Sequence, residues 1–355
     1  MFKFLTLEEE AFGLDINDFS LKIVKLKKKR NGFALVSYNE ERIPPNIIED
    51  GVINDEAALA KIIKSACDKV KGKKITTKYV IASMPEEKSF LQVIQMPKMN
   101  KEELKLSVPL EAENYIPLPI DDVYLDFHVI PPIKDYFNHS EVLIVALPKK
   151  IVDSYISCFK KAGLTPIVLE VESEAIARAL AKKETNSPLI LIDFGENNTD
   201  FVVFSGSSIR FTSSISISSA SLTKAISESL KISFEEAEKL KIENGLVGET
   251  VSKIIVPILE DLVAQIKKYI NFYHDHSSYE YLLPEGKIEK ILLCGGGADL
   301  KGLADFMGKR LEIPTELGNP LINFSSKNQK SIIKKNLISF TTAIGLALRQ
   351  INYKP

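Results

Sequence analysis

The eight positions from Asp193 to Asp200 concentrate residue types that could do chemistry. Asp193 offers a carboxylate, Gly195 a bare backbone, and Asn197, Asn198 and Thr199 short polar groups. Apolar runs at 189–192 and 201–204 flank them, so a strand, a tight turn and a returning strand are predicted. Turns of this kind present main-chain N–H groups to a phosphate while an aspartate serves a divalent cation. An ordinary surface hairpin has the same local sequence, and the turn alone does not separate the two.

A second turn of similar build lies half a chain earlier. Phe12, Gly13, Leu14 and Asp15 lead into Asn17 and Asp18, and an apolar run returns from Leu21 to Leu26. Lys22 falls seven positions after Asp15, as Asp200 falls seven after Asp193. A repeat of this period predicts two halves of one topology. Further on, the run at 288–293 enters Cys294, Gly295, Gly296 and Gly297, with a helix predicted to Leu311. Strand, glycine triplet and helix start make a platform for a phosphate or nucleoside, although ligand-free turns use the same residues.

These turns need elements to hold them. Amphipathic spacing predicts helices at 54–71 with Asn54 as N-cap, 101–115, 151–162, and 173–183 with Ser173 as N-cap. Others are predicted at 221–230, 233–241 behind a Ser233–Glu236 capping box, 249–276 and 337–350. Strands are predicted at 33–38, 78–83, 90–96, 124–129, 141–147, 166–170 and 209–217. Prolines cluster between Pro85 and Pro132, where short strands surround one helix, and an inserted α+β subdomain is expected over 84–147. Lys27 to Gly32 reads as a solvated hairpin tip, and 325–335 as a polar basic loop. Small residues at Ala175, Ala177, Ala179 and again at Ala343, Gly345 and Ala347 predict close helix packing.

At 355 residues the chain needs more than one simple core. Lys+Arg 46 against Asp+Glu 47 leaves net −1, so no global field draws in nucleic acid or anionic lipid. Cys67, Cys158 and Cys294 form no CxxC, and reduced thiols in a cytoplasm are expected. His274 and His276 have no second ligand pair at metal spacing. No apolar run approaches the ~20 residues of a membrane span. Met1–Gly13, with Glu8, Glu9 and Glu10, lacks a signal-peptide core. The expectation is a cytoplasmic protein that meets a membrane only through a partner.

Together the three turns and the two small-residue helices, Glu172–Leu180 and Thr341–Leu348, resemble the actin-like (ribonuclease-H-like) ATPase fold. The detail is similar to the PilM family of type IV pilus assembly proteins, with the cell-division FtsA family as a cousin. Phe12–Asp15, Met96–Met99, Glu111–Pro117, Phe211–Ile215, Phe234–Glu238 and Gly345–Arg349 carry the likeness, which covers nearly the whole chain. It implies an α/β protein of duplicated domains: one half from 1–83, 148–185 and 337–355, the insert at 84–147, and the other half at 186–336. It implies ATP or ADP with Mg²⁺ between the halves, the ion held by Asp15 and Asp193 mostly through water. Gly195, Glu196, Asn197, Asn198 and Thr199 would wrap the terminal phosphates, with Asn17, Asp18 and Lys22 on the opposite turn. Glu238 and Lys241 would face the ribose, and Gly295, Gly296 and Gly297 would underlie adenine and sugar. Glu172 matches the hinge-helix residue that positions an attacking water where relatives hydrolyse ATP.

Departures qualify the resemblance. Asn17 and Asp18 stand where the family has glycine and a hydroxyl residue, and Ser218 and Ser219 where it tends to have two glycines. Asn17 is expected to take the left-handed backbone that glycine would supply. Asp18 is expected to repel a triphosphate unless a cation intervenes. The implied function is a cytoplasmic scaffold of the pilus inner-membrane platform, with slow or absent ATP hydrolysis. It would bind the N-terminal cytoplasmic segment of a PilN-like inner-membrane protein, in a groove between the insert and the first half. Self-assembly is compatible with the fold. The alternatives are an FtsA-like membrane adaptor, a type II secretion scaffold, or an ATP-dependent small-molecule kinase. The FtsA-like reading is disfavoured because no linker and membrane-targeting helix are expected beyond the helix at 337–350.

Overall fold

Two hairpins of matching register organise the fold. The structure, a computed structural model, describes residues 10–29, 32–131, 138–182, 187–276, 288–322, 324 and 337–352. The hairpin tip at Arg30 and Asn31, the polar stretch 325–335 and the side chain of His276 lie outside the described residues.

In chain order, strands β1 (Ala11–Ile16), β2 (Ser20–Lys29) and β3 (Gly32–Arg42) form a meander, followed by the two-residue strands β4 (Ile48–Glu49) and β5 (Val52–Ile53). Helix α1 (Glu56–Asp68), β6 (Lys71–Gly72) and β7 (Tyr79–Met84) complete the first stretch. Then come β8 (Phe90–Pro97), α2 (Lys101–Ala112), β9 (Val123–Ile130) and β10 (His139–Pro148). Next are α3 (Lys149–Lys161), β11 (Thr165–Val171), α4 (Glu172–Leu180), β12 (Leu189–Phe194), β13 (Thr199–Ser205) and β14 (Ser208–Ile215). The last part holds α5 (Ser219–Leu230), α6 (Phe234–Asn244), α7 (Glu249–His276), β15 (Lys290–Cys294), α8 (Leu303–Leu311), β16 (Thr315–Leu317) and α9 (Thr341–Asn352).

Inside the short edge strand β6, the first sheet runs β3-β2-β1-β7-β11; read from β14, the second runs β14-β13-β12-β15-β16. In each, three antiparallel strands are followed by two parallel ones. The half-chain repeat in the sequence is therefore a repeat of strand order. A third sheet, β8-β10-β9, packs α2 over a core of its own that includes Met96, Leu104, Val108 and Ile144. Strand β1 is buried at every residue, as a central strand covered on both faces must be.

Sequence signals at several helix starts needed tertiary arbitration. Asp55, not Asn54, caps α1, its side chain accepting the Ala58 N–H at 2.9 Å. Helix α4 begins at Glu172, so Ser173 is a buried helical residue and not the cap. Helix α5 starts at Ser219 behind a Ser218–Ser221 capping box, and α2 ends at Ala112. The capping box of α6 and the span of α7 are as expected. The small residues on α4 and α9 do bring the helices together: a Cβ on Gly345 would lie 1.9 Å from the Ala175 carbonyl oxygen. No helix among the described residues is long and apolar enough to cross a membrane.

Candidate functional site

The repeated seven-residue spacing becomes a pair of cross-strand contacts. Asp15 faces Lys22 across β1 and β2, and Asp193 faces Asp200 across β12 and β13, while β15 brings Cys294 beside Asp193. Both aspartates thus sit at strand ends where turns converge. A cavity of ≈360 Å³ opens there, lined by Asp15, Asn17, Asp18, Lys22, Glu172, Asp193, Gly195, Glu196, Asn197, Asn198, Glu238, Lys241, Gly295, Gly296 and Gly297. Thr199 is the exception. It is buried, shares its strand face with Phe201 and Val203, and donates its Oγ1 to the Ile217 carbonyl at 2.5 Å.

The second turn is anchored from below by the start of α5. Gly195 N–H donates to the Asn198 carbonyl at 2.9 Å, and the carbonyls of Gly195 and Glu196 accept from Ser219 N–H at 2.9 Å and Ala220 N–H at 3.2 Å. Ser219 and Ala220 therefore hold the turn through backbone contacts, and Ser218 caps α5. Asn198 Nδ2 donates to Ser214 Oγ at 2.9 Å. Beneath lies the glycine platform. Gly295 has φ +89°, and a methyl group on it would stand 2.0 Å from Asp193 Oδ1. Gly296 opens onto free space, where a Cβ would meet nothing within 4 Å.

The first turn differs. Asn17 is not among the described residues with positive φ, which corrects the left-handed expectation. Its Oδ1 instead accepts the N–H groups of Phe19 at 3.0 Å and Ser20 at 2.9 Å, consuming amides that could have met a phosphate. Asp18 is also not a loose carboxylate. It accepts Asp50 N–H at 2.8 Å, Gly51 N–H at 3.0 Å and Asn197 Nδ2 at 2.9 Å. Burial raises its pKa, and the two backbone N–H groups oppose that.

Carboxylates dominate the cavity. Burial pushes Asp193 up to about 7, Asp15 adding to the shift and Lys22 opposing it. Burial likewise raises Asp15, with Lys22 and Ser83 opposing, and Ser83 Oγ donates to Asp15 Oδ1 at 3.1 Å. Glu172 and Asp200 are held well above the carboxylate range by burial and by neighbouring carboxylates. A divalent cation would reverse these shifts, and two carboxylates with room for water suit Mg²⁺. On the far wall buried Lys241 donates to the Ser219 carbonyl at 2.9 Å, Ser219 Oγ at 2.7 Å and Thr223 Oγ1 at 2.7 Å, and pairs with Glu238 at 2.8 Å. Gly296 leaves open space beside the second turn, whereas the Phe19 and Ser20 amides of the first turn are already taken by Asn17 Oδ1. Ser83, Tyr155, Phe234, Ile242 and Thr342 belong to the site or its shell without a local motif to announce them.

A second, larger groove of ≈720 Å³ lies where the third sheet meets both others. Tyr124 to His128 of β9, an edge strand, form one wall, and Phe204, Ala177 and Leu348 contribute apolar surface. Its charged side is a network in which Arg178 grips the buried Glu170 at 2.5 and 2.9 Å, and Arg349 bonds Glu170 and, at 3.1 Å, Glu174. Helix α4 runs between the two sites, with Glu172 in the first cavity and Glu174, Ala177 and Arg178 in the groove.

The family model described as type IV pilus assembly protein PilM matches residues 13–351. The solved PilM-PilN type IV pilus biogenesis complex contains a chain 28% identical, with TM-score 0.83, covering 98% of this chain and 100% of that one. MreB5 of Spiroplasma citri bound to ADP superposes with TM-score 0.57 at 14% identity over 97% of each chain, a likeness of fold. FtsA of Borreliella burgdorferi is 25% identical over 377 residues, 95% of this chain and 89% of that protein. FtsA of Pseudomonas aeruginosa is 24% identical over 218 residues, so the chain spans about half of that relative's length, 49%. The architecture is the actin-like ATPase fold, with two sheets of one strand order facing a cleft.

Proposed function

We propose that this chain, which belongs to the PilM family of type IV pilus assembly proteins, is a cytoplasmic scaffold of the pilus inner-membrane platform. Its groove takes the N-terminal cytoplasmic segment of a PilN-like membrane protein, and this contact holds it at the inner membrane. The observation that carries the reading is the wall at Tyr124–His128, five successive residues of an edge strand beside an apolar floor. Such a strand offers main-chain groups to an extended peptide, and alternate side chains of the peptide reach the floor. The likeness to a chain solved in a PilM-PilN complex supports that choice of partner.

In the same reading the cleft holds ATP or ADP with Mg²⁺ on Asp15 and Asp193, and Gly195 to Asn198 and the Gly295–Gly297 platform contact the nucleotide. Glu172 lines this cavity, where burial and neighbouring carboxylates raise its pKa, and binding with slow or absent hydrolysis is expected. Nucleotide acts by shifting the relative arrangement of the two halves, and α4 carries the shift into the groove.

The test is fluorescence anisotropy with a labelled peptide of the cognate PilN-like cytoplasmic segment. The wild-type chain binds it; Ala177→Leu, which fills the groove floor, does not, and Lys253→Ala on the exposed face of α7 binds as wild type. A wild-type chain that fails to bind the peptide ends the reading.

A further inference from the structure

The two turns that face the cavity are tied to one another. Asp18 of the β1–β2 turn accepts Asn197 Nδ2 at 2.9 Å, and Arg42 at the end of β3 donates to both oxygens of Glu196 at 2.8 and 2.7 Å. Glu196 and Asn197 are consecutive, so one turn of the second sheet is gripped at two points by the first. The contacts differ in kind: Asp18 is 9% exposed, whereas the Arg42 side chain is 71% exposed. Asp18 is further fixed from its own side by the N–H groups of Asp50 and Gly51, so its carboxylate is held in place by three donors.

We infer that these contacts form a clasp that holds the cleft closed without nucleotide, and that a nucleotide enters only by displacing it. A phosphate between the turns needs the donors of the second turn, and the Asn197 amide is engaged by a carboxylate there. The same phosphate would meet the negative charge of Asp18 at close range, where like charges repel strongly in a protein interior. The amides beside Asp18 that could offset this repulsion are held by Asn17 Oδ1. The closed state is thus favoured by contacts within the chain, and the occupied state must replace them. The closure part of the inference stands on the contacts alone; the competition part rests on the nucleotide reading above.

Two measurements separate these parts. Spin labels on Lys64→Cys and Lys239→Cys, with Cys67→Ser, report the distance between the halves in the nucleotide-free chain. The clasp predicts one short, narrow distance, which lengthens and broadens in Arg42→Ala and further in Asp18→Asn with Arg42→Ala. An unchanged distance in the double variant overturns the clasp; Arg42→Ala, at an exposed position, keeps the test open if the double variant fails to fold. Calorimetric titration with Mg-ATP is the second measurement. Asp18→Asn binds about tenfold more tightly than wild type, within the usual range of a shifted two-state equilibrium. Equal or weaker binding by Asp18→Asn overturns the competition. If neither chain binds nucleotide, the nucleotide reading and the competition fall together, and the distance still decides the clasp.

Discussion

Asp193 and Gly295 sit side by side at the ends of β12 and β15, so close that a methyl group on Gly295 would lie 2.0 Å from Asp193 Oδ1. The glycine is required twice over, by that approach and by its φ of +89°. Gly295→Ala therefore displaces the carboxylate proposed to hold the cation. The expected cost is about 1–3 kcal/mol for overpacking and about 1–2 more for the left-handed backbone. A lowered urea midpoint and loss of Mg-nucleotide heat in calorimetry check this. A variant with wild-type binding would show that Asp193 does not serve the ion.

The raised pKa of Asp193 makes stability depend on pH in a defined direction. Its ordinary value is 3.8, and in the folded chain burial, then Asp15, push it up to about 7. Between those values the folded chain holds more protons than the unfolded one, so this group's contribution falls as pH rises from about 4 to about 7 and is flat above. Asp15, Asp200 and Glu172 shift in the same direction. Urea midpoints without Mg²⁺ should decline across that window, less steeply in Asp193→Asn. Mg²⁺ prefers the ionised carboxylates, so its affinity should rise with pH through about 7.

The third sheet is fastened to the second by Arg210 and Glu141, whose side chains are 5% and 7% exposed. Removing one partner strands the other charge. Glu141→Ala should cost about 3–5 kcal/mol, whereas Glu141→Leu with Arg210→Met should cost much less. Denaturant curves of the three chains decide this, and equal losses in both variants would contradict it.

Much of this arrangement is legible in the chain because it follows from spacing. Two aspartates with partners seven positions on become facing pairs once each turn closes, and Gly295, straight after a buried strand, leaves the room that Asp193 needs. Thr199 was expected on the phosphates, but the period-two alternation of β13 turns it inward with Phe201 and Val203. What was not legible is tertiary. Nothing near Asp18 announces that Asp50, Gly51 and Asn197 will donate to it, so the chain alone suggests an obstructive charge where the fold has a tie. Ser83 reaches Asp15 from a parallel strand 68 positions away, again without a local signal.

Helices α4 and α9 touch at Gly345, where a Cβ would meet the Ala175 carbonyl oxygen at 1.9 Å. Gly345→Ala should push the helices apart and disturb the Arg178 contact to the Gly345 carbonyl, now 3.0 Å. A loss of about 1–3 kcal/mol is expected. Peptide affinity should fall with it, because Arg178 and Arg349 border the groove. A variant of unchanged thermal midpoint would mean that the helices part without strain.

The most direct test of the scaffold reading is calorimetric titration of the PilN-like cytoplasmic peptide into the full chain, with and without Mg-ATP. The account predicts one peptide per chain in both states, with affinities differing by at least about fivefold. No binding in either state contradicts it.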